Sequence, residues 1–92
     1  MIGTTVYILT ERDEYGNLSD PAAFLDFEDA IIEMRTWMQD DLPGDRNRVA
    51  RDRIEAAYQD QEDSNAERYD AMVEIFEQIT KCRIYITEAE LR

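Results

Sequence analysis

The two ends of the chain carry the residue types of β-strands. Residues 4–10 (Thr-Thr-Val-Tyr-Ile-Leu-Thr) are rich in β-branched and aromatic side chains, which favour a half-buried strand over a helix. In residues 82–87 the pattern alternates with a period of two, as in a strand that is covered on one side. Because Pro21 cannot donate a ladder hydrogen bond, residues 22–25 predict a short strand at a sheet edge.

Three segments between these strands have the apolar spacing of amphipathic helices. Asp26 is a good N-cap for the first, whose apolar positions recur every three or four residues until Pro43 stops it. Asp45 can cap a second helix that runs to about Gln59. This helix has a thinner apolar face, formed by Val49, Ala50, Ile54, Ala57 and Tyr58. A capping box that begins at Ser64 predicts the start of a third helix. One long bent helix in place of the second and third is the alternative interpretation.

The order of predicted elements is β-β-α-α-α-β, which indicates an α+β protein. A chain of 92 residues has room for one hydrophobic core, so we expect a single domain over residues 1–92. The expected architecture is a small three-stranded antiparallel sheet, with the last strand beside the first and two or three helices packed on one face.

Charge is the most unusual property of this sequence. Ten Lys and Arg residues stand against 22 Asp and Glu residues, which gives a formal net charge of −12. Such a field repels nucleic acid and anionic membranes and attracts basic surfaces. No apolar run approaches the roughly 20 residues of a membrane-spanning helix, and the first residues lack a secretory signal pattern. We therefore expect a cytoplasmic protein that neither enters membranes nor binds duplex DNA directly.

Several kinds of catalytic equipment are missing from the sequence. The chain has no histidine, three glycines and one cysteine, so the usual general base, phosphate-binding loops and a Cys–His nucleophile are excluded. Residues 13–17 invite comparison with a calcium loop, but Tyr15 stands where the second ligand is needed. Cys82 fits a small core residue better than a reactive thiol. We therefore predict no enzymatic activity, no cofactor and no dedicated metal site.

Carboxylates form a row along the predicted third helix. Spacings of three, four and three place neighbouring charges about 4.5 to 6 Å apart along the helix axis. The row comprises Glu67, Asp70, Glu74 and Glu77, and Asp63 continues it toward the preceding loop. Lysine is nearly absent four residues away on the same helix, where it would neutralise these carboxylates, so their mutual repulsion is not relieved. This favours a partner-binding surface that resembles a nucleic-acid backbone. The alternative is the ordinary solvated face of an amphipathic helix.

Four arginines give the predicted second helix a different character. They are Arg46, Arg48, Arg51 and Arg53, and they indicate a possible contact with RNA or with an acidic surface. The alternative is a set of surface ion pairs, because acidic residues follow Arg48 and Arg51 four positions later.

The predicted sheet offers a third candidate surface. Strand alternation predicts that Tyr7 and Tyr85 share one face of the sheet. The other face would then hold Val6, Ile8, Ile84 and Ile86. The two tyrosines, together with Leu9 on an open face of the sheet, are candidate interface anchors, since tyrosine combines a large contact area with a polar group. Alternatively, they form a cross-strand pair that only stabilises the sheet.

Three segments resemble those of small phage and prophage proteins in which strands frame helices of variable length. They are residues 6–11 (VYILTE), 24–30 (FLDFEDA) and 83–91 (RIYITEAEL). Small acidic phage inhibitors of host defence, among them anti-CRISPR proteins and DNA mimics of the anti-restriction type, are similar in size, charge and lack of catalytic residues. The resemblance assigns a role to no individual residue.

This resemblance implies a phage-encoded inhibitor that binds a host nucleic-acid-binding protein or ribonucleoprotein. The first candidate is a CRISPR surveillance complex whose DNA-binding surface is blocked. The arginine-rich second helix is not expected in a pure DNA mimic. It is consistent with an inhibitor that binds a protein–RNA assembly. An anti-restriction DNA mimic, and a small phage or bacterial regulatory adaptor whose acidity only keeps it soluble, are the alternatives. The sequence gives no indication of the oligomeric state.

Overall fold

The computed structural model describes residues 3–60 and 64–91 and has the predicted α+β architecture. Three antiparallel strands form one sheet in the order β2-β1-β3, and the elements follow the predicted order β-β-α-α-α-β. A short 3-10 turn, Asp45–Asn47, precedes the second helix. The elements are β1 (Thr4–Arg12), β2 (Ala22–Phe24), α1 (Phe27–Asp40), α2 (Arg48–Gln59), α3 (Asn65–Thr80) and β3 (Arg83–Leu91).

The central strand β1 pairs along its whole length with β3 and only briefly with β2. Leu9 lies opposite Ile86, and Thr10 lies opposite Tyr85, in the antiparallel β1–β3 register. Because directly opposed residues project from the same side, Leu9 and Ile86 define the face that packs on the helices. The short strand β2 lies at the edge predicted from Pro21.

The prediction that Tyr7 and Tyr85 share a face is wrong. Tyr7 projects from the same face as Leu9 and contacts Phe27 of α1, with ring centroids 5.4 Å apart, whereas Tyr85 projects from the opposite face. The physical reason is that β1 is apolar on both faces, so that alternation within this strand alone does not identify the buried side.

One hydrophobic core connects the sheet with all three helices. Its fully buried side chains come from Leu9 of β1, from Ile84 of β3 and from the helices. The largest are Leu9, Ile31, Met34, Met38, Ile54, Met72, Phe76 and Ile84. The expectation that Leu9 lies on the open face of the sheet is therefore wrong. Val49, which the pattern placed on the apolar face of the second helix, is instead 72% exposed.

Local signals at the starts of α1 and α3 act as the sequence predicts, but the cap predicted for the second helix does not form. Asp45 lies in the 3-10 turn, and within residues 3–60 neither this turn nor α2, whose N-cap is Asn47, has a side-chain capping hydrogen bond. The side chain of Asp26 accepts a hydrogen bond from the Glu28 amide at the start of α1. Ser64 and Glu67 form the complete capping box at the start of α3. The helix ends at Lys81, whose φ of 62° is left-handed and turns the chain into β3. Thus α2 and α3 are separate helices.

Two arginines hold the helices together around Tyr58 of α2. The guanidinium carbons of Arg35 and Arg68 lie 4.7 and 4.8 Å from the Tyr58 ring centroid. Arg35 also donates to both carboxylate oxygens of Glu55, at 2.5 and 2.8 Å. Arg68 donates to the Tyr58 carbonyl and to Asn65, each at 2.9 Å. Residues of α1, α2 and α3 are therefore tied at one place.

Candidate partner-binding surface

The carboxylate row of α3 lies opposite the buried side of that helix. Glu67, Asp70 and Glu74 are exposed, whereas Met72 and Phe76 are buried in the core. Packing of the apolar side fixes the orientation of the helix, so the carboxylates are held toward solvent. Asp63, which the sequence analysis added to the row, lies outside the described residues.

Two members of the row have partners within the protein. This is contrary to the expectation that the repulsion between the carboxylates is not relieved. Glu67 accepts hydrogen bonds from the amide and hydroxyl of Ser64 as part of the capping box. Glu77 pairs with Arg83 of β3 at 3.2 Å. The expectation considered only lysines on the same helix, whereas the partners come from the preceding loop and from the sheet. Glu67 and Glu77 therefore contribute to the fold.

Asp70 and Glu74 are the members that remain available to a partner. Within the described part of the chain, neither carboxylate forms a hydrogen bond or an ion pair. One helical turn separates them, which places them about 6 Å apart along the helix axis. The candidate surface on α3 thus narrows to two exposed carboxylates on a firmly packed helix.

The arginines of the second helix divide in a similar way. Arg51 donates to the backbone carbonyls of Leu42 and Gly44, each at 2.6 Å, and so secures the connection between α1 and α2. Arg46, Arg48 and Arg53 are exposed. These three guanidinium groups remain available for contact with an anionic partner.

The ion pair expected between Arg51 and Glu55 is not the one that forms. Glu55 binds Arg35 of α1 through two hydrogen bonds, and Arg35 lowers the pKa of Glu55 below its ordinary value. Gln59 donates a further hydrogen bond to the same carboxylate at 2.9 Å. A bidentate pair between two helices fixes their packing more firmly than a pair on one helix surface.

The two tyrosines have different environments. Tyr7 is half-buried beneath the helices beside Phe27, so it acts in packing. Tyr85 is half-buried on the other face of the sheet, between Arg12 and Arg83, whose guanidinium carbons lie 5.6 and 5.8 Å from its ring centroid. Of the two, only Tyr85 lies on a sheet face without helices in the described part of the chain.

A pair of carboxyl groups, Glu11 and Asp41, was not predicted. Glu11 comes from the end of β1, and Asp41 is the C-cap of α1. Burial raises the pKa of Glu11 from 4.5 to about 7, and the hydrogen bond to Asp41 and the charges of Asp41 and Asp13 add to the rise. Glu11 therefore retains its proton at a higher pH than an ordinary glutamate. No local motif could have indicated this pair, because only the packing of α1 beside β1 brings the residues together.

The loop between β1 and β2 uses its acid to close a turn. The Asp13 carboxylate accepts hydrogen bonds from the amides of Tyr15 and Asn17, each at 2.9 Å. These bonds lower the pKa of Asp13. In residues 3–60 and 64–91, no group of three or more acidic or cysteine side chains is arranged to hold a metal ion.

Comparison with protein-family models, with curated proteins and with solved structures finds no match to this chain. None of the helices in the described ranges has both the length and the apolar character needed to cross a bilayer.

Proposed function

We propose that this protein is a non-catalytic inhibitor that binds the DNA-binding surface of a host nucleoprotein complex. The observation that supports this proposal best is the pair of exposed carboxylates Asp70 and Glu74, which have no ion-pair partner among residues 3–60 and 64–91, in a chain with a net charge of −12. A surface that holds DNA presents arginine and lysine side chains to phosphates. Carboxylates on a rigid helix are suitable ligands for the same side chains.

The inhibitor acts by competition in this proposal. Its negative field speeds the encounter with a basic groove, and the exposed carboxylates then pair with cations that otherwise hold phosphates. Binding therefore weakens when salt is added, because exposed charges are screened over about 8 Å at physiological ionic strength. The protein itself does not bind duplex DNA, since both are strongly negative.

A CRISPR surveillance complex is the partner that we propose first, on the basis of the resemblance to small acidic phage inhibitors. Such a complex contains RNA as well as basic protein surface. The exposed arginines Arg46, Arg48 and Arg53 of the α2 region suit contact with that RNA. The use of carboxylates toward basic protein and of arginines toward RNA distinguishes the proposal from full DNA mimicry. A partner of this kind implies that the protein acts in the host cytoplasm.

The proposal is tested by displacement of DNA from purified surveillance complexes. Fluorescence anisotropy of a labelled target duplex reports its release as the protein is titrated at 50 mM and 300 mM NaCl. We expect release at low salt, weaker release at high salt, and no binding of the free duplex by the protein alone. If every purified surveillance complex tested retains the duplex at about 10 μM folded protein and 50 mM NaCl, the proposed inhibition is contradicted.

A further inference from the structure

The sheet has an outer face, opposite the helices, from which acidic residues are absent. Among the side chains that the structure describes, it consists of every second residue of β1 and of β3, on the side of the sheet opposite Leu9, together with one residue of β2. They are Thr4, Val6, Ile8, Thr10, Arg12, Ala23, Arg83, Tyr85, Thr87 and Ala89. The acidic residues of these strands are Glu11, Glu88 and Glu90, and all three project from the side that faces the helices. In a chain with 22 acidic residues, this face carries none.

The composition of the outer face is that of an interface. Val6 is buried, with 4% of its surface exposed, Ala23 and Thr87 are exposed, and Ile8, Tyr85 and Ala89 are half-buried. The cores of protein interfaces are depleted in charged residues and enriched in tyrosine and arginine. The two arginines of this face lie together at one end, and the centre is apolar or hydroxylic.

The molecule as a whole exposes more surface than a compact monomer of its mass. A folded monomer of 10.8 kDa is expected to expose about 5,500 Å², whereas this chain exposes 6234 Å². Its radius of gyration is 13.7 Å, against about 12 Å expected for this length. The excess of about 700 Å² is spread over the whole molecule, and it is similar in size to the roughly 800 Å² that each partner contributes to a standard interface.

We propose that two copies of this chain pack outer face to outer face and form a homodimer of four layers, α/β/β/α. A second copy fits because the face is free of carboxylates, whereas most other surfaces would oppose acid to acid. A nucleic acid fits less well, since the net charge of −12 repels it and Glu77 already pairs with Arg83. This inference is independent of the proposed inhibition.

Charge also selects the orientation of the two sheets. Arg12 lies directly opposite Arg83 in the β1–β3 register, so both guanidinium groups are at one end of the face. A two-fold axis along the strands would bring four arginines together. An axis across the strands places each arginine pair over the far end of the other sheet, and the strands of the two copies then run antiparallel. The dimer adopts this second arrangement.

Sedimentation equilibrium of the full chain tests the proposal. Loading concentrations from about 1 μM to 1 mM at 50 and 500 mM NaCl should show a mass that rises toward twice 10.8 kDa. The dimer should strengthen with salt, because screening relieves repulsion between two chains of charge −12. A monomer throughout this range, or a dimer that weakens with salt, would overturn the proposal.

Matched variants identify the face that is used. Thr87→Glu adds a carboxylate to the exposed part of the outer face, and Thr36→Glu adds one to the exposed side of α1. We expect the dissociation constant to rise at least tenfold for Thr87→Glu and to change less than threefold for Thr36→Glu. Circular dichroism should show both variants folded. Equal effects would exclude the outer face, and an unfolded Thr87→Glu would transfer the test to Thr87→Arg.

The Thr87→Arg variant also separates self-association from binding of an anionic strand. A third arginine on the face should weaken the dimer at least threefold. If the face instead binds single-stranded nucleic acid, the same variant should strengthen binding of a labelled poly-uridine oligonucleotide by the monomer. That result, with no dimer, would replace the second copy by nucleic acid as occupant and so refute the proposal.

Discussion

Replacement of Glu11 by glutamine is expected to stabilise the protein above neutral pH. Glu11 is the β1 carboxyl that hydrogen-bonds to Asp41, with Asp13 nearby, and these surroundings raise its pKa from 4.5 to about 7. A raised pKa in the folded state means that the native protein holds this proton more tightly than the unfolded chain. The corresponding stability is complete below pH 4.5 and is lost as the pH rises toward 7.

The size of the effect follows from this difference in proton affinity. One pKa unit corresponds to about 1.4 kcal/mol, so a rise from 4.5 to about 7 has an upper bound of about 3.4 kcal/mol. Glu11 is still partly exposed, and solvent screening reduces this to about 1 to 2 kcal/mol. The glutamine side chain cannot ionise and can still donate a hydrogen bond to Asp41, so the variant avoids the loss above pH 7.

Urea unfolding of wild type and Glu11→Gln between pH 4 and 8.5 measures this directly. The difference in unfolding free energy should grow in favour of the variant between about pH 4.5 and 7 and then level off. Other carboxylates titrate in both proteins and cancel in the difference. Glu14→Gln, which removes an exposed carboxylate from the adjacent loop, is the control and should show no such step. A flat difference between wild type and Glu11→Gln would refute the argument that Glu11 holds a proton near neutral pH.

Two further changes test the packing of the helices. Arg68→Ala should lower the unfolding free energy by about 2 to 3 kcal/mol, because Arg68 stacks on Tyr58 and donates charged hydrogen bonds to its carbonyl and to Asn65. The exposed Arg53→Ala should change it by less than about 0.5 kcal/mol in the same urea titration, and equal losses would contradict this account. Ser64→Ala removes the N-cap of α3 and should cost about 1 kcal/mol by thermal unfolding, whereas Ser64→Asp should restore most of it.

Local signals in the sequence were sufficient for most of the fold. The caps at Asp26 and Ser64 set the starts of α1 and α3, and Pro21 limited β2 to an edge. These signals act within a few residues and depend little on the rest of the chain. For the same reason, the class and order of the elements agree with the expectation. The strands β1 and β3, however, run to Arg12 and Leu91, beyond the predicted ends at residues 10 and 87.

The misplaced tyrosine and the unexpected partners have a different origin. Val6 and Leu9 are both buried although they project from opposite faces of β1, so hydrophobicity alone does not orient that strand. The partner of Glu55 is Arg35, 20 residues earlier. Pairs of this kind depend on the packing of one element against another, whereas sequence spacing reveals only neighbours on the same helix.

The candidate site was predictable in its position but not in its membership. Helical spacing correctly places Asp70 and Glu74 on the exposed side of α3. It could not show that Glu77 pairs with a strand residue, because β3 reaches Glu77 only through the turn at Lys81. The function of the remaining carboxylates is a proposal that binding experiments must test.

The most direct test of the central claim compares two variants of equal charge. Asp70→Asn/Glu74→Gln removes both available carboxylates of α3, and Glu14→Gln/Asp52→Asn removes two exposed carboxylates elsewhere. Each changes the net charge from −12 to about −10. In the DNA-displacement titration at 50 mM NaCl, we expect the α3 variant to require at least tenfold more protein and the control less than threefold more. Equal loss of inhibition in both folded variants, or full inhibition by the α3 variant, would contradict a specific role for this helix.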